Sequence, residues 1–404
     1  MNPALLALVA CSARVPVPVA LPTQEVVSER SIPSETLDVL DVAAGDLDVN
    51  IRQEAISLLV AYAVNPEPHA SRGLYDPSPY VRRRTAQALG GRLPEEPSRV
   101  LLDGFVLRED LDPYTRGYAA TELGLAGYSD ARDVLSAAAH GQARWWQAAP
   151  LHLAALAMGS EESLAPLTAG LAKGDFPLEM KFFLDCHRLG RPELGPPLVT
   201  AAGRVEEELV LPIATSLVRL GDPAGIELFR ERLDSEVVEA RLEAIDFIAQ
   251  LPVESGLSER ALSHHSETER AFDLLLNRAL KDEHASVSTY ARLVQVRWGR
   301  ESPSVAFDLL VDADREVRVQ SLWALRGRIA LDRHLGTEKR RLEKRALEQA
   351  AEALEDTEDV VVREAIRLLG VIGGPSAVEL LTPLYSMEST AFRVEVAAAL
   401  LTAG

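Results

Sequence analysis

Apolar residues recur along most of the chain at a spacing that predicts amphipathic helices. A clear example is Val81-Arg82-Arg83-Arg84-Thr85-Ala86-Gln87-Ala88-Leu89-Gly90, where small or apolar residues stand three, four and seven positions after Arg82. This spacing puts one apolar stripe on a single helix face, and glycine or proline then ends the helix. We therefore predict short helices that pack closely and are joined by tight turns.

The same pattern returns at a regular interval. We use the arginine position as an index and call it the slot. The slots are 52, 82, 116, 148, 179, 210, 241, 288, 318, 362 and 393. Most are about 31 residues apart, whereas the copies that run from 241 to 288 and from 318 to 362 are enlarged. Such repetition predicts an array of helical hairpins, because no single hairpin can cover its own apolar face.

The repeated residues resemble a known family. The sequence Asp…Val-Arg-x-x-Ala-Ala-x-Ala-Leu-Gly, followed by turns such as Leu220-Gly221-Asp222-Pro223-Ala224, is similar to the short HEAT-like repeat, also called the phycobilisome-lyase type. That resemblance implies an all-α, right-handed α-solenoid of about eleven hairpins, used mainly to bind other proteins. It also implies that the slot arginines and turn aspartates are structural, bonding across the turn and to the next repeat.

The N-terminus resembles a different signal. Leu8-Val9-Ala10-Cys11 looks like the lipobox of bacterial lipoproteins, which implies acylation of Cys11. Residues 1–11 would then be the signal segment, 12–34 a Pro-rich tether, and 35–404 the solenoid, with enlarged repeats near 250–285 and 327–358. The alternative is an apolar cytoplasmic N-terminus, because the run is short and no Lys or Arg precedes it. We favour the periplasmic side of the cell envelope over the cytoplasm.

Composition narrows the partner class. The chain has 42 Lys and Arg against 61 Asp and Glu, a formal net charge of −19, and only 5% aromatic residues. So acidic a chain repels phosphate backbones unless a strong local basic patch intervenes. The expected partner is therefore another protein and not nucleic acid, and a membrane is contacted only through a lipid on Cys11.

The usual catalytic and metal-binding motifs are missing from the sequence. It contains no Gly-x4-Gly-Lys-Ser/Thr, Gly-x-Ser-x-Gly, His-Glu-x-x-His or Cys-x-x-Cys motif. His264-His265 with His284 is the only histidine grouping, and adjacent histidines on a helix point about 100° apart. We predict a protein that is not an enzyme and uses no cofactor or metal.

Partner-binding candidates lie two and five positions after the slots, on the expected concave face. They are Arg84, Tyr118, Lys181, Leu184, Tyr290, Trp323 and Arg367. Aromatic and arginine anchors suit a peptide-binding groove, although a solvated inner face with chance aromatics is an equal alternative. The second enlarged copy also holds Arg333, Lys339, Arg340, Arg341, Lys344 and Arg345. Because glutamates are interleaved there, we expect an exposed helix crossed by ion pairs rather than an anion site.

The sequence thus predicts a non-enzymatic protein-interaction scaffold or adaptor. One alternative is a bilin lyase or chromophore chaperone, which follows only from the resemblance to the phycobilisome-lyase type of repeat. Another is a HEAT-like nucleic-acid-binding protein, which the net charge of −19 disfavours.

Overall fold

A computed structural model describes residues 34–93, 95–173, 178–251, 265–331, 336–387 and 389–403. These residues form twenty-two α-helices and contain no strand. Odd-numbered helices are the first, and even-numbered helices the second, of eleven successive hairpins. The all-α repeat solenoid predicted from the sequence is confirmed. Cys11, the Pro-rich segment, His264 and Arg333 lie outside the described residues.

The first helices of the hairpins are mostly short. They are α1 (Ser34–Ala43), α3 (Glu67–Leu74), α5 (Glu96–Val106), α7 (Arg132–His140), α9 (Leu164–Lys173), α11 (Gly195–Ala202), α13 (Ala224–Leu233), α15 (His265–Ala279), α17 (Ser304–Leu309), α19 (Gly336–Ala353) and α21 (Gly374–Leu381). Short 3-10 segments lie at Glu161–Ser163, His187–Leu189, Pro192–Leu194 and Thr382–Ser386.

The second helices carry most of the core and every slot except Glu179, which directly precedes its helix. They are α2 (Val49–Tyr62), α4 (Pro79–Gly90), α6 (Pro113–Leu125), α8 (Trp145–Ala157), α10 (Met180–Cys186), α12 (Glu207–Leu220), α14 (Val238–Gln250), α16 (Ala285–Arg297), α18 (Arg315–Leu331), α20 (Asp359–Ile372) and α22 (Thr390–Ala403). None of the described helices is long and apolar enough to cross a membrane.

The apolar spacing correctly identifies the buried face. The residue three positions after each slot is buried in every copy. The residues at four and seven are also buried, except in the copy at 288, where Arg292 is exposed and Gln295 is half-buried. Many of these positions hold alanine, which lets neighbouring second helices approach closely.

Four slot arginines join their hairpin to the next: Arg52, Arg82, Arg241 and Arg318. Arg318 donates to both carboxylate oxygens of Asp356 at 2.8 and 3.0 Å, and to the backbone carbonyl of Asp312 at 2.8 Å. Arg52 makes the same bonds with Asp76 of the next hairpin and the carbonyl of Asp46. The structural role implied for these residues is therefore confirmed, and these arginines are not free to bind a partner.

The first and last hairpins contact each other, so the array closes into a ring. Helix α22 packs against both α1 and α2, and its Val394 and Leu401 share an apolar cluster with Leu40. Tyr385 donates a hydrogen bond of 2.7 Å to Thr36 Oγ1. Within the array several second helices pack in the same way, as α2 does against α3 and α4. This joint, which we call the seam, therefore reproduces the stacking of the other hairpins.

Candidate protein-binding surfaces

The inner face does not offer all the residues that the sequence placed there. Tyr118 is only 3% exposed and Tyr290 only 7%. The Tyr118 hydroxyl donates to Glu179 Oε2 at 3.2 Å, and the Tyr290 hydroxyl donates to Asp246 Oδ1 at 2.6 Å. Both rings are engaged inside the protein, so we leave them out of the candidate surface.

The burial of Tyr290 has a simple geometric cause. In α16 the buried residues include Val287, Tyr290, Ala291 and Val294, one position earlier than the slot at 288 predicts. A shift of one residue rotates a helix face by about 100°. The residue predicted to lie on the inner surface, two positions after the slot, therefore turns into the core.

Two other inner-face candidates, Lys181 and Arg367, are cations bound to carboxylates. Lys181 lies 2.8 Å from Asp185, whose side chain is 4% exposed. Arg367 donates to Glu395 Oε2 at 3.0 Å and also pairs with Glu364. Burial disfavours the charge of Arg367, but these two carboxylates outweigh it and raise its pKa. Such cations would have to give up an internal partner before they could bind an external one.

Arg84 and the two apolar candidates are half-buried. Arg84 donates to Gln87 at 3.0 Å. The guanidinium carbon of Arg297 lies 4.3 Å from the ring centre of Trp323. Leu184 lies on α10 and is also only partly exposed. The partner-binding candidates predicted from the sequence are therefore exposed only at separate places, and they do not form a continuous groove.

Arg83, which the sequence analysis did not select, braces the inner face. Its Nη1 donates to both oxygens of Glu179 at 2.6 and 2.7 Å, and its Nη2 lies 3.3 Å from Asp112. The rings of Tyr114 and Tyr118 lie 5.4 and 5.6 Å from its guanidinium carbon. Burial alone would lower the pKa of Arg83, but Glu179 and Asp112 raise it overall. The brace links the second, third and fifth hairpins and stiffens this part of the ring.

A second surface lies on the edge formed by the turns within the hairpins. On the first three hairpins these turns and the start of α4 expose large apolar side chains: Leu47 is 96% exposed, Tyr75 66%, Tyr80 64% and Leu107 51%. The Arg108 guanidinium lies 4.8 Å from the Tyr75 ring centre, so the second and third turns touch. We call these four apolar residues the rim patch.

The rim patch is set among carboxylates. Asp46, Asp48, Glu109 and Asp110 lie in the same turns and are at least partly exposed. Arg108, the cation nearest the apolar residues, is already paired with Asp110. The surface around the rim patch is therefore negative, and its arginines are used internally.

The rim patch had a signal in the sequence that the repeat analysis passed over. Leu47 and Tyr75 each directly precede an aspartate, Asp48 and Asp76, in a turn that otherwise consists of small or polar residues. A large apolar residue in such a turn gains nothing from folding if it remains exposed. The pattern could have pointed to a contact surface.

The buried polar residues are poorly placed for chemistry. Burial raises the pKa of the Cys186 thiol, which keeps it protonated. Burial lowers the pKa of His187 to about 3, and its Nε2 lies 2.9 Å from the Arg219 guanidinium. His284 forms the N-cap of α16. Among the described residues, no group of three or more His, Cys, Asp or Glu side chains could hold a metal ion.

Comparisons with known proteins find only distant similarity. It matches no protein-family model, and no curated protein is significantly similar to it. An engineered protein is 17% identical, with 91% of this chain and 98% of that chain covered and a TM-score of 0.33. Importin-β is 12% identical, with 92% and 58% covered and a TM-score of 0.37. A chain from a study of cadherin and β-catenin is 14% identical, with 91% and 90% covered and a TM-score of 0.32.

Proposed function

We propose that this protein is a non-enzymatic scaffold that binds another protein through the rim patch. The observation that carries this proposal is the exposure of Leu47, Tyr75, Tyr80 and Leu107 on three successive hairpins. Isolated exposed apolar residues are ordinary, but a run of them across adjacent turns is typical of interaction surfaces. Tyrosine is also one of the residues enriched at the energetic centres of interfaces.

The charge around the rim patch selects the chemistry of the partner. The neighbouring exposed carboxylates include Asp48, Glu109 and Asp110. A partner segment that places apolar side chains against Tyr75 and Leu107, with Lys or Arg at its edges, would match both properties of the surface. Its association should slow as salt is added, because long-range attraction between exposed charges is screened.

The first experiment identifies the partner and tests the surface together. A photo-crosslinking amino acid is placed at Tyr75 and, as the control, at Val64, which is 97% exposed on the opposite edge. We expect a specific crosslinked protein from Tyr75 and none from Val64. Equal capture at both positions would mean that the rim patch is not the docking surface.

The second experiment measures the contribution of single side chains with the purified partner. Truncating a large apolar side chain that becomes buried on binding costs about 1.5 to 3 kcal/mol, which is roughly a 10- to 100-fold loss of affinity. We expect this loss for Tyr75→Ser and Leu107→Ser, measured by calorimetry. Val64→Ser should change the affinity less than twofold. Comparable losses in all three variants would contradict the proposal.

We further propose that Cys11 tethers the scaffold to the cell envelope. The support is the Leu8-Val9-Ala10-Cys11 sequence and the Pro-rich stretch that follows it. Mass spectrometry of the N-terminus, after membrane and soluble fractions of a bacterial host are separated, tests this directly. Acylated Cys11 in the membrane fraction would support the tether, whereas an intact Met1 in the soluble fraction would contradict it.

A further inference from the structure

Helix α19 is longer than the first helices of the neighbouring hairpins. It has 18 residues, whereas α17 has 6 and α21 has 8. At 1.5 Å per residue, the ten residues by which it exceeds α21 correspond to about 15 Å of helix. The first fully buried residue among its described side chains is Ala346. The N-terminal half of α19 therefore carries little of the core.

That half carries exposed cations that have no ion-pair partner among the described side chains. Arg340, Arg341 and Lys344 are exposed, and no described carboxylate lies within ion-pair distance of them. Lys339 does pair with Glu343, at 3.4 Å. Among the described side chains of this helix, which do not include Glu338, the ion pairs that the sequence predicted are therefore found at one position. One reason is order: Lys344 precedes Glu348, and an i,i+4 pair is weaker when the base comes first.

The four cations form one compact surface. Arg340 and Lys344 are four residues apart and so lie on one line of the helix, and Arg341 and Arg345 form the adjacent line. Arg345 is held with its guanidinium carbon 4.1 Å from the Phe307 ring centre. We call these four residues the α19 patch.

The α19 patch is not explained by the stability of the fold. Like charges four residues apart on a helix repel each other, as Arg340 and Lys344 do and as Arg341 and Arg345 do. This repulsion is small, but it acts against folding, and no described carboxylate forms an ion pair with Arg340, Arg341 or Lys344. Positive charge concentrated in this way on a chain of net charge −19 is better explained by an external anion.

We propose that the α19 patch binds a short acidic peptide segment of a partner protein. Arginine forks bind carboxylates through two parallel hydrogen bonds, and three of the four residues are arginines. The patch extends about 8 Å along the helix, close to the Debye length of about 8 Å at physiological ionic strength. A short peptide would therefore meet mainly the patch itself. Duplex DNA or an anionic membrane would extend onto the acidic surface around it.

This surface is independent of the rim patch. It lies in the tenth hairpin, near the edge opposite the turns within the hairpins. The rim patch lies in the first three hairpins. The two surfaces have opposite charge, so they would select different partner segments. Failure of one proposal would leave the other standing.

The test uses the full-length chain and a fluorescein-labelled peptide of eight glutamates. Fluorescence anisotropy at 50 mM salt should show saturable binding that weakens at least tenfold at 200 mM. The variant carrying Arg340→Gln, Arg341→Gln and Lys344→Gln should bind at least tenfold more weakly. The matched control carries Arg99→Gln, Arg132→Gln and Arg230→Gln, which remove charges already paired on the surface. It should bind like the unchanged protein, and both variants should keep its melting temperature.

Several results would overturn the proposal. One is the absence of saturable peptide binding at 50 mM salt, and another is an equal loss of binding in the two triple variants. Duplex DNA of 20 base pairs and vesicles containing phosphatidylserine are measured in parallel. Tighter binding to either of these than to the peptide would show that the α19 patch serves a different class of partner.

Discussion

The closed ring makes a prediction about residues at opposite ends of the chain. Leu40 of α1 is completely buried and belongs to an apolar cluster that includes Val394, Ala397 and Leu401 of α22. Truncating this side chain by Leu40→Ala should weaken the seam. If the seam exists in solution, the change should therefore also destabilise the last hairpin, about 350 residues away in the sequence, because Thr36 and Tyr385 are in contact across the seam.

The size of the effect follows from the volume removed. Leu40→Ala deletes three carbon atoms from a fully buried site. At about 0.8 kcal/mol for each, the transfer term is about 2.4 kcal/mol, and the cavity left behind brings the loss to about 3 kcal/mol. If the seam opens to relieve the cavity, amide hydrogens there should exchange up to about 100-fold faster, because 1.4 kcal/mol corresponds to a factor of ten.

Hydrogen exchange followed by mass spectrometry measures this helix by helix. We expect faster exchange in peptides from both α1 and α22 of the Leu40→Ala variant. The matched control is Leu217→Ala in α12, because Leu217 is equally buried but belongs to a different apolar cluster, away from the seam. Its effect should be confined to its own and adjacent hairpins. If exchange rises in α1 but stays unchanged in α22 of the Leu40→Ala variant, the two ends do not meet in solution and the ring is refuted.

Three further predictions concern stability. Ala86→Asp should lower the free energy of unfolding by about 3 kcal/mol or more, because it places a charge at a fully buried position. Gln87→Asp, at the neighbouring position, should change the free energy of unfolding little. Equal urea midpoints for the two variants would contradict the assignment of the slot to Arg82. A double-mutant cycle of Arg318→Ala and Asp356→Ala should give a coupling energy of about 1 to 2 kcal/mol, and a value near zero would mean that the pair does not join the hairpins. His187 is held neutral by burial, with a pKa of about 3 against 6.5 when unfolded, so unfolding takes up a proton below pH 6.5. The free energy of unfolding should therefore fall as the pH drops from 6.5 towards 3, and His187 should contribute about 1.4 kcal/mol per pH unit to this fall. His187→Gln should remove this contribution when the free energy of unfolding is measured by urea titration at each pH.

The sequence predicted the fold well because the buried positions of each repeat follow from the spacing of residues within one helix. Positions three, four and seven after Arg82 are Thr85, Ala86 and Leu89, and all three are buried. The helix phase of most other copies follows from the same rule. The rule failed at α16, where the buried positions fit a slot at Val287 and not at Ser288.

The seam and the inner brace could not be predicted in this way. Ring closure depends on the sum of small rotations between hairpins, and no single copy encodes that sum. The pairing of Arg83 with Glu179 joins residues 96 positions apart, and nothing in their local sequence distinguishes Arg83 from Arg84. Tyr118 likewise meets partners distant in sequence, because Glu179 accepts its hydrogen bond and the Arg83 guanidinium lies 5.6 Å from its ring centre.

The seam changes how this array can begin to unfold. In an open array the terminal hairpin packs against only one neighbouring hairpin. It therefore frays first and exposes the next hairpin. In this ring α22 packs on α1 and α2 as well as on α20, so the last hairpin is held on both sides. Any first unit to leave must break two interfaces at once. The ring should therefore lose its hairpins in one steep transition, without the gradual loss of structure from the ends that is typical of linear arrays.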